Sequence, residues 1–148
     1  MRFCKLAMFT LVMALAAFAA DSPFTGKWQL DVAKSKFHPG PPLKSEIVTI
    51  APDGKVTVEE TSAADKAMSW SYTMAEGQEA PIAGMGDNSS VVEKRSGRTV
   101  THAWKMSGQP ATGKGVISKD GKTMTYRIHG TGADGKPMNN VLIFEKVE

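Results

Sequence analysis

F-T-G-K-W-Q-L-D-V-A-K-S-K-F, Phe24 to Phe37, is the stretch that decides the fold. From Lys27 it alternates, so that Trp28, Leu30 and Val32 fall on one face of a strand while Lys27, Gln29 and Asp31 fall on the other. One face is therefore buried. Gly26 has no Cβ, so another backbone or a large ring can approach it closely, and the Trp28 indole is the largest single apolar group the strand offers to a core. Gly26 and Trp28 are the expected structural anchor of the domain.

Upstream of this strand the composition changes. Arg2 and Lys5 form a positive segment, Leu6 to Phe18 is an apolar run, and Ala17-Phe18-Ala19 has the small-x-small form of a signal-peptidase site. Residues 1–20 are expected to be an export signal cleaved after Ala19 or Ala20, which leaves 21–148 as one domain in the periplasm or outside the cell. The run is shorter than the roughly 20 residues of a spanning helix, so no stable membrane insertion is expected after cleavage. Cys4 lies too early to be a lipoprotein cysteine. It is also the only cysteine, so the mature domain has no disulfide and holds by packing alone.

The full chain has 18 Lys+Arg against 15 Asp+Glu, and two of the basic residues belong to the leader. The remainder is close to neutral, with no long basic run or dense aromatic-basic patch. Nucleic acid is excluded as a partner on that ground.

Downstream the chain reads as short strands. Ala33 to Lys36 suits a single helical turn, and His38-Pro39-Gly40-Pro41-Pro42 a stiff polyproline-like connector. Strands are expected over Leu43 to Ile50, Lys55 to Glu59, Met68 to Met74, Ser90 to Lys94, Arg98 to Met106, Thr112 to Ser118, Lys122 to His129 and Asn139 to Val147. Val56 and Val58 face inward in the third strand, and Trp70, Tyr72 and Met74 in the fourth. Ala75 to Asn88 reads as the longest loop, either a functional gate or a plain connector. Ile50-Ala51-Pro52-Asp53-Gly54-Lys55 is echoed by Ile117-Ser118-Lys119-Asp120-Gly121-Lys122, each closing one strand and opening the next. The whole predicts an all-β, antiparallel up-and-down meander of about 8–10 strands, closed or nearly closed into a barrel.

Phe24-Thr25-Gly26-Lys27-Trp28-Gln29-Leu30 resembles the F-x-G-x-W-x-L opening of the calycins, the superfamily of lipocalins and fatty-acid-binding proteins. The ending Phe144-Glu145-Lys146 is similar to the Tyr-Glu-Lys that commonly finishes the fatty-acid-binding proteins. More narrowly, G-K-W-Q-L-D-V-A-K-S-K-F-H-P-G-P-P resembles small secreted bacterial lipocalin-like proteins of uncharacterised function. The resemblance implies a lipocalin-like barrel binding a small molecule, with Arg127 as the late basic residue stacked on Trp28. Two departures accompany it. The prolines after His38 leave no room for the helix-turn-helix lid of the fatty-acid-binding proteins, and Leu142 and Phe144 stand where those proteins place an Arg and a Tyr on the ligand carboxylate.

No serine lies in a nucleophile elbow, no thiol survives leader cleavage, and the three histidines form no metal-ligand spacing. Hence neither catalytic residues nor a metal or other cofactor is assigned. Asp31, Glu46, Glu59 and Glu60 read as solvated sheet-face carboxylates. The expected ligand site is the inward set Trp70, Tyr72, His102, Trp104, Leu142 and Phe144, with His102 or Tyr72 orienting an apolar or weakly polar ligand and the Ala75 to Asn88 loop as its gate. The rival expectation is a filled barrel that acts as a protein- or glycan-interaction module of the cell envelope. A carboxylate beside His102 within a polar cluster would instead point towards catalysis.

Overall fold

The structure is a computed structural model that describes residues 22–148; the expected leader lies outside the described residues. Ten strands follow one another as β1 Gly26–Leu30, β2 Ser45–Ile50, β3 Lys55–Thr61, β4 Ala67–Thr73, β5 Glu79–Pro81, β6 Ser90–Ser96, β7 Thr99–Met106, β8 Gln109–Ile117, β9 Thr123–Thr131 and β10 Pro137–Lys146. All belong to one antiparallel sheet in the order β4-β3-β2-β1-β10-β9-β8-β7-β6-β5. This is the expected meander, joined on itself where β1 pairs with β10 through Trp28↔Lys146 and Leu30↔Phe144.

Alternation fixes what each strand turns inward. Trp28 and Leu30 of β1, Val56 and Val58 of β3, Val100 and Trp104 of β7, Met124 and Tyr126 of β9, and Leu142 and Phe144 of β10 are all buried. The anchor at the closed end is Trp28, 0% exposed, whose indole N–H donates to the Phe24 carbonyl at 2.9 Å. Burial of such a ring contributes roughly 1.5–3 kcal/mol. Gly26, at φ +131°, is needed because a Cβ there would run into the backbone carbonyl of Glu148. The cation over Trp28 is Lys146, not the expected Arg127, with Nζ 5.4 Å from the ring centroid. Arg127 is exposed, because the phase that turns Met124 and Tyr126 inward turns Arg127 to the outer face.

The two echoed D-G-K segments make the same hairpin. Gly54 N–H donates to Ala51 O and Gly121 N–H to Ser118 O, and in each turn the Asp carboxylate accepts the backbone N–H of the following Lys. Ala33 to Lys36 makes a hydrogen-bonded turn rather than a helix, with Ser35 N–H donating to Val32 O at 3.3 Å. After it, Lys36 pairs with Val141, and the His38 N–H donates to the Asn140 side chain. The connector thus lies against β10.

The Ala75 to Asn88 segment departs from expectation. It holds the short strand β5 and buries Ala80 and Ile82, because a barrel edge left open after β4 would expose both apolar surface and unpaired backbone. Its Ala83 exchanges two backbone hydrogen bonds of 2.9 Å with Ser71 of β4. The segment is a wall of the barrel, and that bridge is the seam between β4 and β5.

β8 supplies the space that large side chains elsewhere consume. Its inward row is Ala111, Gly113, Gly115 and Ile117, and a Cβ on Gly113 would fall onto the Tyr126 hydroxyl. Gly113→Ala is expected to destabilise the fold by about 1–3 kcal/mol or more through overpacking, against under ~0.5 kcal/mol for Thr112→Ala on the outer face. Denaturant melts of the two variants check this; equal losses would show that β8 is not limited by volume.

Candidate functional site

A cavity of about 380 Å3 occupies the barrel interior. Its floor is set by the packing around Phe24 and Ile50, and Phe37, Pro41, Leu43, Ala133 and Met138 stand at its other end, the mouth. Trp70, Tyr72, His102, Trp104, Leu142 and Phe144 all line it. Trp70 and Tyr72 stack with centroids 6.4 Å apart, and Trp104 meets both edge-on at 5.7 and 6.0 Å. From the loop, Met85 reaches the cavity.

His102 sits in a chain of hydrogen bonds whose direction follows from donor counting. The Trp104 indole has only a donor, so it donates to the Tyr126 hydroxyl at 2.7 Å. Tyr126 then donates to His102 Nδ1 at 2.9 Å, which leaves Nε2 carrying the ring proton and donating to Glu93 Oε1 at 2.8 Å. The Tyr72 hydroxyl donates to the same Glu93 oxygen at 2.7 Å, and Arg95 Nε donates to Glu93 Oε2 at 2.8 Å. Both nitrogens of His102 and both oxygens of Glu93 thus have partners within the protein.

The electrostatics agree with that arrangement. Burial alone would raise Glu93, which is 4% exposed, but the hydrogen bonds from His102 and the Tyr72 hydroxyl and the charge of Arg95 together hold it below the ordinary carboxylate value. Burial, and secondarily the Glu93 charge, pushes the Tyr72 phenol up; burial also raises Tyr126, against the opposing hydrogen bond from Trp104. Both phenols stay protonated. The cluster is a carboxylate beside His102, but neither imidazole nitrogen is free to take a proton from a bound molecule.

Two further charged residues of the cavity wall were hidden by their strand context. Glu46 on β2 and Glu60 on β3 are register partners and both line the cavity, which corrects their reading as solvated carboxylates. Asp31 and Glu59 do lie outside the cavity wall. The signal was the strand phase: Val56 and Val58 inward require Glu60 inward, and Ile50 inward requires Glu46 inward. By the same rule Val91 carries Glu93 and Arg95 inward on β6. Burial pushes Glu46 up to about 8, with the Glu60 charge adding to it, and burial raises Glu60 as well, partly offset by the Trp70 indole.

No family model matches the sequence, and no curated protein does. Solved structures are similar. The fatty-acid-binding protein 1 of Echinococcus granulosus superposes with a TM-score of 0.54 at 11% identity, over 85% of this chain and 98% of that one. The ileal bile acid-binding protein of zebrafish, complexed with cholic acid, gives 0.52 at 15% identity, over 85% and 100%. The fold is that of the calycins. The fluorescent protein UnaG has the same likeness, with a TM-score of 0.52 at 13% identity, over 84% of this chain and 97% of that one. In this barrel no helix follows β1 among the described residues; the proline connector occupies that place.

Glu46 gives the barrel a testable pH dependence. Its folded value of about 8 lies above the ordinary 4.5, so the folded state holds a proton that the unfolded chain has released. Its contribution to stability therefore falls as pH rises from about 4.5 to 8, by as much as a few kcal/mol. Glu46→Gln should flatten the stability profile in that window and raise stability at pH 8, measured by urea melts from pH 5 to 9. An unchanged slope would mean that Glu46 is ionised in the fold.

Proposed function

We propose that the chain is an exported carrier that reversibly buries a small, largely apolar molecule inside its barrel. The observation that carries this reading is the cavity of about 380 Å3 walled by Trp70, Tyr72, Trp104, Leu142 and Phe144. Burying about 300 Å2 of apolar ligand surface contributes roughly 7–8 kcal/mol, close to the ~8 kcal/mol of a micromolar Kd before association entropy is subtracted. Met68, Met85, Met106, Met124 and Met138 add unbranched, polarizable side chains that adapt to ligand shape. The fold neighbours named for fatty acids and bile acid are aligned over nearly their whole length, which supports an interior site. The leader-like residues 1–20 support export.

The rival reading, a filled barrel that works through its surface, required a solid core, and the interior is hollow. His102 and Tyr72 are committed to Glu93, so orientation falls to groups nearer the mouth.

Titration of the full chain with the neutral dye Nile red, followed by energy transfer from tryptophan, tests carriage. Saturable 1:1 binding is expected, weakened at least tenfold by Ile128→Trp, which fills part of the cavity, and unaffected by Lys114→Trp on the outer face. Absence of saturable binding, or equal binding by both variants, would end the proposal.

A further inference from the structure

We propose that the ligand carries a protonated amine on an apolar body, and that Glu46 and Glu60 hold the ammonium at the mouth end of the cavity. This rests on the carrier reading above and names its ligand class.

Glu46 is the starting point. It is 8% exposed, lines the cavity, and makes no hydrogen bond or ion pair among the described residues. A carboxyl buried to that degree is ordinarily paired. Its register partner is Glu60, so the two side chains leave neighbouring strands at Cβ positions about 5 Å apart on the same face. Like charges in that relation are destabilising, and no lysine or arginine is paired with either carboxyl among the described residues. Arg95 is the single lysine or arginine side chain lining the cavity, and it is spent on Glu93 while lying 5.3 Å from the Phe24 ring centroid. Lys44, the nearest lysine in sequence, pairs with Asp65 instead.

The surroundings suit a cation rather than a neutral donor. Tyr126 lies close enough to Glu46 to feel its charge, and the Trp70 indole lies beside Glu60. The raised pKa of both carboxyls is the burial cost that an ammonium would relieve.

Position gives the ligand its polarity. Glu46 and Glu60 lie beside Ser45↔Thr61, the last pair of β2 and β3 before the connector and the Ser62–Lys66 turn, which is the mouth end. Deeper along the same inward rows come Val48 and Ile50, and Val58 and Val56. An apolar tail enters first and the amine stays at the two carboxyls. An anionic head would meet the same two groups, with no free cation to offset them.

Displacement of Nile red from the full chain by decylamine, decanol and decanoic acid at pH 7.5 tests this. Decylamine is expected to bind at least tenfold tighter than decanol, and decanoic acid weaker than decanol. Glu46→Gln and Glu60→Gln should each bring the amine-to-alcohol ratio towards one, and Glu59→Gln, on the outer face of β3, should leave it as it is. Decanol displacing the dye with no preference for the amine, or an undiminished ratio in both cavity variants, overturns the ammonium site and leaves carriage standing. Nile red failing to bind removes carriage and this inference together. Because the readout is a ratio within each variant, a uniform loss of stability does not imitate the effect.

Discussion

Closure of the barrel depends on the buried carboxylate of Glu93. The sheet runs continuously from β4 back round to β5, and the seam between those two strands is bridged by only two backbone hydrogen bonds, between Ser71 and Ala83. Inside the barrel, Glu93 of β6 accepts from Tyr72 of β4 and His102 of β7, and His102 in turn accepts from Tyr126 of β9. One anion therefore ties strands on both sides of the seam to the opposite wall. Its charge is tolerable because Arg95 answers one oxygen while His102 and Tyr72 answer the other. Loss of the carboxylate would leave buried donors without acceptors, a penalty of about 1–3 kcal/mol for each.

The same bonds explain why so many aromatics leave the interior hollow. Trp104 and Tyr126 are held tip to tip, and Gly113 on the strand between them has no side chain to keep them apart. Tethered by their polar tips, the rings stand along the wall instead of collapsing into the centre. An all-apolar set of equal volume would lack that constraint, and dispersion would favour a closed core. Polar bonds and a glycine row thus create the cavity that the apolar side chains line.

Much of this was legible in the sequence. Strict alternation from Lys27, the D-G-K hairpins and the absence of any amphipathic helix fixed an antiparallel meander, and each inward aromatic kept its assigned face. What escaped was of two kinds. β5 is three residues long and lies among glycines and prolines, so it has too few alternations to register as a strand. The charged wall escaped because composition was given more weight than phase: Glu46, Glu60, Glu93 and Arg95 look like surface residues, yet each shares parity with a buried aliphatic residue two or four positions away, namely Ile50, Val58 or Val91. Arg127 was misplaced for the converse reason, since its cationic role was carried over from a resemblance while the alternation with Tyr126 already turned it outward. Phase is the stronger rule wherever a strand is buried on one face only.

The two acidic groups of the interior differ in a way that bears on what the barrel is for. Glu93 is fully compensated, and burial of its charge is offset by bonds that close the barrel. Glu46 and Glu60 have no such account. A leucine in place of Glu46 would contribute roughly 1.5–3 kcal/mol from burial, and a carboxyl that opens onto the cavity forgoes that while its charged form is disfavoured by burial. The fold thus forgoes a few kcal/mol at one point of its inner surface, a large fraction of the 5–15 kcal/mol by which domains are stable. Local departures from the best packing choice concentrate where a protein meets its ligand. Where the resemblance to the fatty-acid-binding proteins implies an Arg and a Tyr on the last strand, this chain has Leu142 and Phe144, and its two carboxyls without a basic partner lie on β2 and β3. On the proposed ammonium site, a barrel with two carboxyls at its mouth end selects against carboxylate ligands before shape enters at all.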